Sequence, residues 1–438
     1  MKSKPSKVAC ITLGCPKNQT DSEVLAGELR RAGAILVADP TEADTVFINT
    51  CGFVRDAKKE SIDAILRTIG LKQDDPGKKV VVWGCLSQRH GEELKQEIPE
   101  VDRFFGVEPF AEMGQWFLGP QYRFRDSAYR HRILSTPPHT AYLKIADGCD
   151  HLCTFCSIPL IKGKYRSRSL LSLEAEARSL VRQGVREIVL VAQDTTAWGK
   201  DRNPGVGLDV LLSRLTALEG LDWIRILYGH PSHLEPSVVR MMAQESKICR
   251  YLDIPLQHSS SPMLQAMGRP GSGPQLRDWI GGLRNAIPGL VLRTTLMVGF
   301  PGETDRDFQE LIDFVEEIRF ERLGVFVYCP EPGTASWDLK PRIPVRKARE
   351  RRKTLMGIQQ GISLKKNREC VGKTLPVLID GFDPKKKRLF GRTEGDCLDI
   401  DQIVWVQGEA VIGRIVPVRI ESGGPYDLIG VAVPANSG

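Results

Sequence analysis

No apolar run in the 438 residues approaches the length a membrane-spanning helix needs, roughly 20 residues, which argues against an integral membrane protein. An export signal is also lacking. Lys2, Lys4 and Lys7 stand before an apolar stretch, but that stretch, residues 8–13, is shorter than the roughly 7 to 15 residues of a signal core. A cytoplasmic protein is expected. There is no low-complexity tract and no internal repeat of the roughly 20 to 50 residues that builds solenoids or propellers. Strong charge of one sign is missing too. The net charge of +7 suits an anionic partner but equally suits an ordinary enzyme.

Cysteine, by contrast, is plentiful. Eleven cysteines in a reducing compartment favour metal or redox chemistry over a disulfide framework. The length suggests two or three domains at roughly 100 to 200 residues each. Over residues 1–125, short apolar runs at 8–13, 35–38, 45–49 and 79–83 alternate with helix-like segments, the pattern of a Rossmann-like parallel α/β sheet. Residues 118–138 have no clear period and read as a linker. Over 138–368, strand candidates at 141–145, 187–192, 223–228, 251–255, 290–297 and 323–328 are separated by helical segments such as 171–183, which predicts a partial (β/α)6 TIM-like barrel. The basic run 339–353 at its end reads as the solvated face of a linker helix. Residues 371–438 hold short β-rich runs at 375–379, 388–393, 403–405, 410–418 and 428–433, the pattern of a small antiparallel β-barrel.

The sharpest local signal is Gly148-Cys149-Asp150-His151-Leu152-Cys153-Thr154-Phe155-Cys156. Three thiolates in eight residues can hold three corners of a 4Fe-4S cubane while one iron stays open for a small molecule. A structural zinc site more often uses separated cysteine pairs or histidines, and His151 is the one nearby candidate. The loop follows the first barrel strand, and barrel active sites lie at the carboxyl ends of strands. The other strand ends are also polar or flexible: Gln193-Asp194, His230, Gln257-His258, Gly299 to Thr304, and Cys329. His230, His258 and Asp194 could shape a pocket or simply be satisfied polar groups.

A second set is dispersed. Cys15, Cys51 and Cys85 each follow a predicted strand of the amino-terminal sheet and each has a glycine neighbour, Gly14, Gly52 and Gly84. Residues just past the carboxyl ends of adjacent parallel strands converge on one crevice. A lone cysteine is usually a buried small hydrophobe, whereas three at equivalent positions predict a second metal site. Cys10, Cys249, Cys370 and Cys397 lack partners and read as structural.

The C-x3-C-x2-C spacing with Phe155 before its last cysteine resembles the radical S-adenosylmethionine (SAM) superfamily, and Gly299-Phe300-Pro301-Gly302-Glu303-Thr304 resembles its SAM-contacting segment. With Leu13-Gly14-Cys15-Pro16-Lys17-Asn18, Asn49-Thr50-Cys51-Gly52-Phe53 and Gly84-Cys85-Leu86, nearly the whole chain resembles the methylthiotransferases, and the terminal barrel their TRAM domain. Cys15-Pro16-Lys17-Asn18, Asp21-Ser22-Glu23, Gln193-Asp194-Thr195-Thr196 and Asp253 through His258 are similar to the branch that modifies small-subunit ribosomal protein uS12. The tRNA-modifying branch more often reads Gly-Cys-Gln-Met-Asn at the first site. Tyr328-Cys329-Pro330-Glu331-Pro332-Gly333-Thr334 departs from the pattern, with Cys329 and Pro332 where Ser and Glu are expected.

The resemblance implies a transferase with two 4Fe-4S clusters and SAM. Cys149, Cys153 and Cys156 would make the radical, Cys15, Cys51 and Cys85 would hold the sulfur-delivering cluster, and Gln193, Gly299, Gly302 and Glu303 would contact SAM. It implies attachment of a methylthio group to the β-carbon of an aspartate in uS12, with flavodoxin or ferredoxin as reductant. A tRNA methylthiotransferase and a non-catalytic iron-sulfur RNA-binding adaptor are the rival readings. The TRAM segment is near neutral, which predicts that Asp396, Asp399, Asp401 and Glu409 complement a basic protein, while Lys385 to Arg388 and 346–353 could touch ribosomal RNA.

Overall fold

A computed structural model describes residues 5–202 and 205–433; Lys2 and Lys4 lie outside them. The amino-terminal part contains β1 (Lys7–Thr12), α1 (Pro16–Arg31), β2 (Ile35–Leu36), β3 (Thr45–Thr50), α2 (Arg55–Gly70), β4 (Lys79–Gly84), α3 (Cys85–Glu97), β5 (Arg103–Phe104) and α4 (Phe110–Leu118). Its five strands are parallel in the order β2-β1-β3-β4-β5. β3 is buried along its whole length and β4 everywhere but its first residue, as runs such as Val80-Val81-Val82 require when helices cover both faces of a sheet.

The next part contains β6 (Thr140–Lys144), β7 (Ala146–Asp147), α5 (Ile158–Lys162), β8 (Arg166–Ser167), α6 (Leu170–Arg182), β9 (Glu187–Val191), α7 (Leu208–Thr216), β10 (Trp223–Ile226), α8 (Pro236–Gln244) and β11 (Ile248–Asp253). It continues with α9 (Ser261–Ala266), α10 (Gly273–Ala286), β12 (Val291–Val298), α11 (Asp305–Ile318), β13 (Arg322–Val327) and α12 (Val345–Arg368). Six parallel strands lie in the order β13-β12-β11-β10-β9-β6, an open barrel wall. Helix α11 starts on a capping box between Thr304 and Asp307.

The last part is β14 (Thr374–Asp383), β15 (Arg388–Thr393), β16 (Ile403–Gln407), β17 (Ile415–Gly423) and β18 (Asp427–Ala432), closed as β14-β15-β16-β18-β17. The expected strand at 410–418 begins only at Ile415, because Gly408 and Gly413, both at positive φ, bound a turn.

Side chains on the large sheet alternate between two cores. Ala141, Leu143, Ile188 and Leu190 face the helices, while Tyr142, Val189, Val191 and Tyr251 pack with Leu378 and Cys397 of the small barrel. The small barrel therefore plugs the inner face of the large one. Arg392 is fully buried there, bonding Glu187 at 2.8 Å and Asp380 at 2.7 Å, and Arg225 meets Glu187 at 2.9 Å.

This docking corrects the expectation for the acidic residues. Asp396 is bound to Arg322 at 2.5 Å, and Asp401 to Arg293 at 3.3 Å and to the Tyr251 hydroxyl at 2.7 Å. Only Asp399 and Glu409 of the four are exposed. The linker reading also changes: Arg132, within 118–138, has a fully buried side chain clamped by Glu23 at 2.6 Å and Glu176 at 3.0 Å. Nor is the basic run only solvated, since Arg351 of α12 is buried 2.9 Å from Glu303.

Candidate functional site

Cys15 is the N-cap of α1, Cys51 follows β3, and Cys85 opens α3 directly after β4. The turns close on one another. A Cβ added at Gly14, whose φ is +96°, would stand 3.2 Å from Cys51 Sγ, and one at Gly52 would stand 2.7 Å from Leu86 Cα. Asn18 ties the three turns together: its Nδ2 donates to Leu13 O at 3.0 Å and Thr50 O at 3.2 Å, and its Oδ1 lies 3.8 Å from Cys85 Sγ. Asn49 in turn donates to Asn18 O at 2.9 Å. Its neighbours explain the rest of the first motif. Asp21 reaches Lys144 of the barrel, Ser22 accepts from Asn49 at 3.0 Å, and Glu23 holds Arg132 and the Ser135 N–H. Sequence reasoning quoted these residues without seeing that they dock one domain on the other.

The contiguous cysteine loop is wired to its surroundings from four sides. Cys149 N donates to Gly163 O at 3.1 Å, Thr154 N to Met267 O at 3.0 Å, and Ser336 N to Thr154 O at 2.8 Å, while His151 Nε2 meets Asp194 Oδ2 at 2.7 Å. Phe155 packs against Met263, Met267 and Phe300, which accounts for the aromatic before the last cysteine. Arg269, which the sequence did not single out, points Nη1 at Cys153 Sγ, 3.6 Å away.

Both cysteine sets suit a polynuclear cluster better than a single ion. Thiolates around one zinc, each at about 2.3 Å, lie within about 4 Å of one another. Among the described residues, only His151, Asp194 and His233 bring three ligand atoms within 4.8 Å. Burial pushes the Cys149 thiol up to about 11 and the Cys156 and Cys85 thiols up to about 12, and it raises Cys51 as well. Without a cation these groups are thiols, so metal loading must displace protons.

Gln193, at the end of β9, donates from Nε2 to Asp147 Oδ1 at 2.8 Å and keeps a buried Oε1 with no partner. Gly299 and Gly302 sit in the turn after β12, both at positive φ. Glu303 is different from expectation: its carboxylate is buried, accepts from the Gly299 N–H and Arg351, and shapes the turn instead of facing open space. His258 stands 3.7 Å from its other oxygen, with Nδ1 accepting from Ser259 N and Ser260 N. Asp194 takes both His151 and His233 at 2.7 and 2.6 Å. Burial opposes its ionisation, but these bonds hold its carboxyl well below the usual range. The His230 ring stacks 3.7 Å from His151, and burial with nearby Arg269 drives its pKa down to about 2, so it is neutral.

Between the two sets lies a buried ionic seam. Lys144 meets Asp21, Glu108 at 3.0 Å and Asp147 at 3.4 Å, and Lys162 meets Asp147 at 2.9 Å. Burial works against Asp147, and the two lysines overcome it, keeping that carboxyl far below its ordinary value. A second clasp involves the departing segment: Glu331 binds Lys58 at 2.6 Å and Arg89 at 2.9 Å, while Cys329 Sγ lies 3.8 Å from its other oxygen. Cys249 and Cys397 are buried, and Cys10 and Cys370 partly so, as expected of structural thiols.

Comparison with known proteins agrees with this arrangement. Residues 7–106 match the model described as Uncharacterized protein family UPF0004, residues 143–315 the Radical SAM superfamily and residues 371–433 the TRAM domain. Two relatives, from Geotalea uraniireducens (strain Rf4) and Anaeromyxobacter sp. (strain Fw109-5), are each 45% identical over 98% of this chain, and over 98% and 93% of their own lengths. A third, from Myxococcus xanthus (strain DK1622), is 43% identical over 97% of this chain and 91% of its own. All three are named ribosomal protein uS12 methylthiotransferase RimO. Among solved structures, the radical S-adenosylmethionine methyltransferase TsrM from Kitasatospora setae aligns with TM-score 0.54 at 14% identity, covering 76% of this chain and 77% of that one, a likeness of fold alone. Three domain matches in one order, with such identity over nearly full length, establish that the chain belongs to the ribosomal protein uS12 methylthiotransferase RimO family, a family of radical SAM transferases.

Proposed function

We propose that the protein attaches a methylthio group to the β-carbon of an aspartate side chain in small-subunit ribosomal protein uS12. The observation that carries this reading is the pair of three-cysteine sets, one on each of two domains docked together through Asp21, Glu23, Lys144 and Arg132. In this reading Cys149, Cys153 and Cys156 hold one 4Fe-4S cluster and Cys15, Cys51 and Cys85 hold a second. When bound, the clusters and SAM supply the hydrogen-abstracting radical and the sulfur and methyl groups that acid-base side chains cannot.

The chain's own residues bind, orient and exclude. Gln193 offers a buried carbonyl oxygen to the amino group of SAM, and the backbone of Gly299 and Gly302 gives close approach to the rest of it. Glu303 keeps that turn in shape through the Gly299 N–H, anchored by Arg351. Asp194 fixes the cysteine loop through His151. The ionic seam and the Glu331 clasp keep the two domains apposed, so water is excluded between them. A small reductant of the flavodoxin or ferredoxin class supplies electrons. Lys386, 3.6 Å over the Trp405 ring of the TRAM barrel, supports contact with ribosomal RNA beside the protein substrate.

The test is mass spectrometry of uS12 and of tRNA nucleosides from a strain lacking the gene. Loss of the methylthio mass from uS12 with unchanged tRNA is expected; the reverse pattern would overturn the assignment.

A further inference from the structure

Four lysines of the described residues are at least nine-tenths buried: Lys17, Lys78, Lys144 and Lys162. Three are compensated. Lys78 donates to the carbonyls of Pro40, Thr41 and Ala43, and Lys144 and Lys162 sit among Asp21, Glu108 and Asp147. Lys17 is not. At 8% exposure its ammonium makes one long bond, 3.4 Å to Ala192 O, and lies 3.7 Å over the Tyr228 ring. No carboxylate among the described residues lies within 4.0 Å of it. An ammonium has three donors, and a buried charge without a counter-ion is costly.

The position of that charge is informative. Lys17 comes two residues after Cys15 and reaches across the domain interface to the ends of β9 and β10. Tyr228 beneath it is held at φ +58°, a conformation costly for a tyrosine, by its N–H to Asp253 Oδ2 at 3.2 Å and by Thr195 N to its carbonyl at 3.0 Å. Such strain at a strand end is retained where it fixes a functional surface. The other cation here without a carboxylate, Arg269, is committed to Cys153 Sγ and Pro255 O on the barrel side. Lys17 alone offers unused donors where the two cysteine-bearing rims meet.

We propose that Lys17 receives the carboxylate of the acceptor aspartate, with the Tyr228 ring as the floor beneath the ion pair, so that the enzyme selects an acidic side chain. This rests on the uS12 reading above. The missing counter-ion is then the substrate itself: binding completes the pair that the free protein lacks, and a neutral isostere leaves the ammonium unpaired.

The experiment uses the reconstituted holoenzyme and a fluorescein-labelled uS12 peptide whose acceptor aspartate is located by mass spectrometry, together with the same peptide carrying asparagine there. Wild-type protein should bind the aspartate peptide roughly 100-fold more tightly by anisotropy, about the factor one buried charge-assisted hydrogen bond carries. Lys17→Met, of similar length without the charge, should bind both peptides alike, near the wild-type affinity for the asparagine form. Lys17→Arg should recover part of the preference. The comparison of two peptides on wild type needs no variant, so a misfolded Lys17→Met protein leaves the test intact. Equal binding by wild type, or an undiminished preference in folded Lys17→Met, overturns the inference while leaving the function standing. If the wild-type enzyme modifies tRNA and not uS12, the function falls and the inference with it.

Discussion

The two cysteine sets reach the same end by opposite routes. In the barrel, one loop after β7 delivers Cys149, Cys153 and Cys156 within eight residues, so the spacing is fixed by the chain itself. In the amino-terminal sheet, Cys15, Cys51 and Cys85 are brought together from three strands, and the set exists only when β1, β3 and β4 are in register. The first is a property of sequence and the second a property of fold. The dispersed set therefore depends on cross-ties such as Asn18, whereas the contiguous set depends on the loop's own anchors.

The largest effect should come from the contiguous set. Cys153→Ala removes one of three thiolates, and 5′-deoxyadenosine formation, followed by chromatography, should fall to the level of cluster-free protein. Undiminished SAM cleavage would show that the loop does not hold the reacting cluster.

Asn18→Ala sharpens the contrast, because it should damage one set only. It strips two hydrogen bonds from the buried Leu13 and Thr50 carbonyls, at a cost of roughly 2 to 4 kcal/mol. Iron per chain should drop by about half while SAM cleavage persists. Full iron content would mean that the three turns need no tie.

The smallest effect concerns the plug beneath the barrel. Burial opposes ionisation of Glu187, and Arg392 and Arg225 outweigh it, lowering its pKa to about 2 from 4.5. A lowered folded-state value means stability that is present in full above the unfolded value and lost as pH falls towards about 2, worth up to about 3 kcal/mol. The gap in urea midpoint between wild type and Glu187→Gln should be widest near neutrality and narrow as pH falls from 4.5 towards 2. A constant gap would place the interaction elsewhere.

The same contrast explains what was legible in the sequence. The cysteine loop, the alternation of strands and helices and the small barrel are local patterns, so spacing and periodicity reveal them. The convergence of Cys15, Cys51 and Cys85 was readable only through the rule that parallel strand ends share an edge. Pairings over long sequence separations were not readable. Nothing local marks Asp396 and Asp401 as partners of Arg322 and Arg293, so a short acidic region looked like a substrate surface although half of it is buried. Arg351 looked solvated for the same reason: its partner Glu303 lies far back in the chain. Lys17 appeared in the first motif, but its lack of a counter-ion shows only once the barrel closes over it.

The most direct test of the two-set account is the Cys51→Ala holoenzyme supplied with SAM, reductant and uS12. If the sets divide the chemistry, 5′-deoxyadenosine should still form while mass spectrometry finds no methylthio group on uS12. Methylthiolated uS12 from that variant would contradict the account, since the dispersed cysteines would then be structural and the barrel loop alone would suffice.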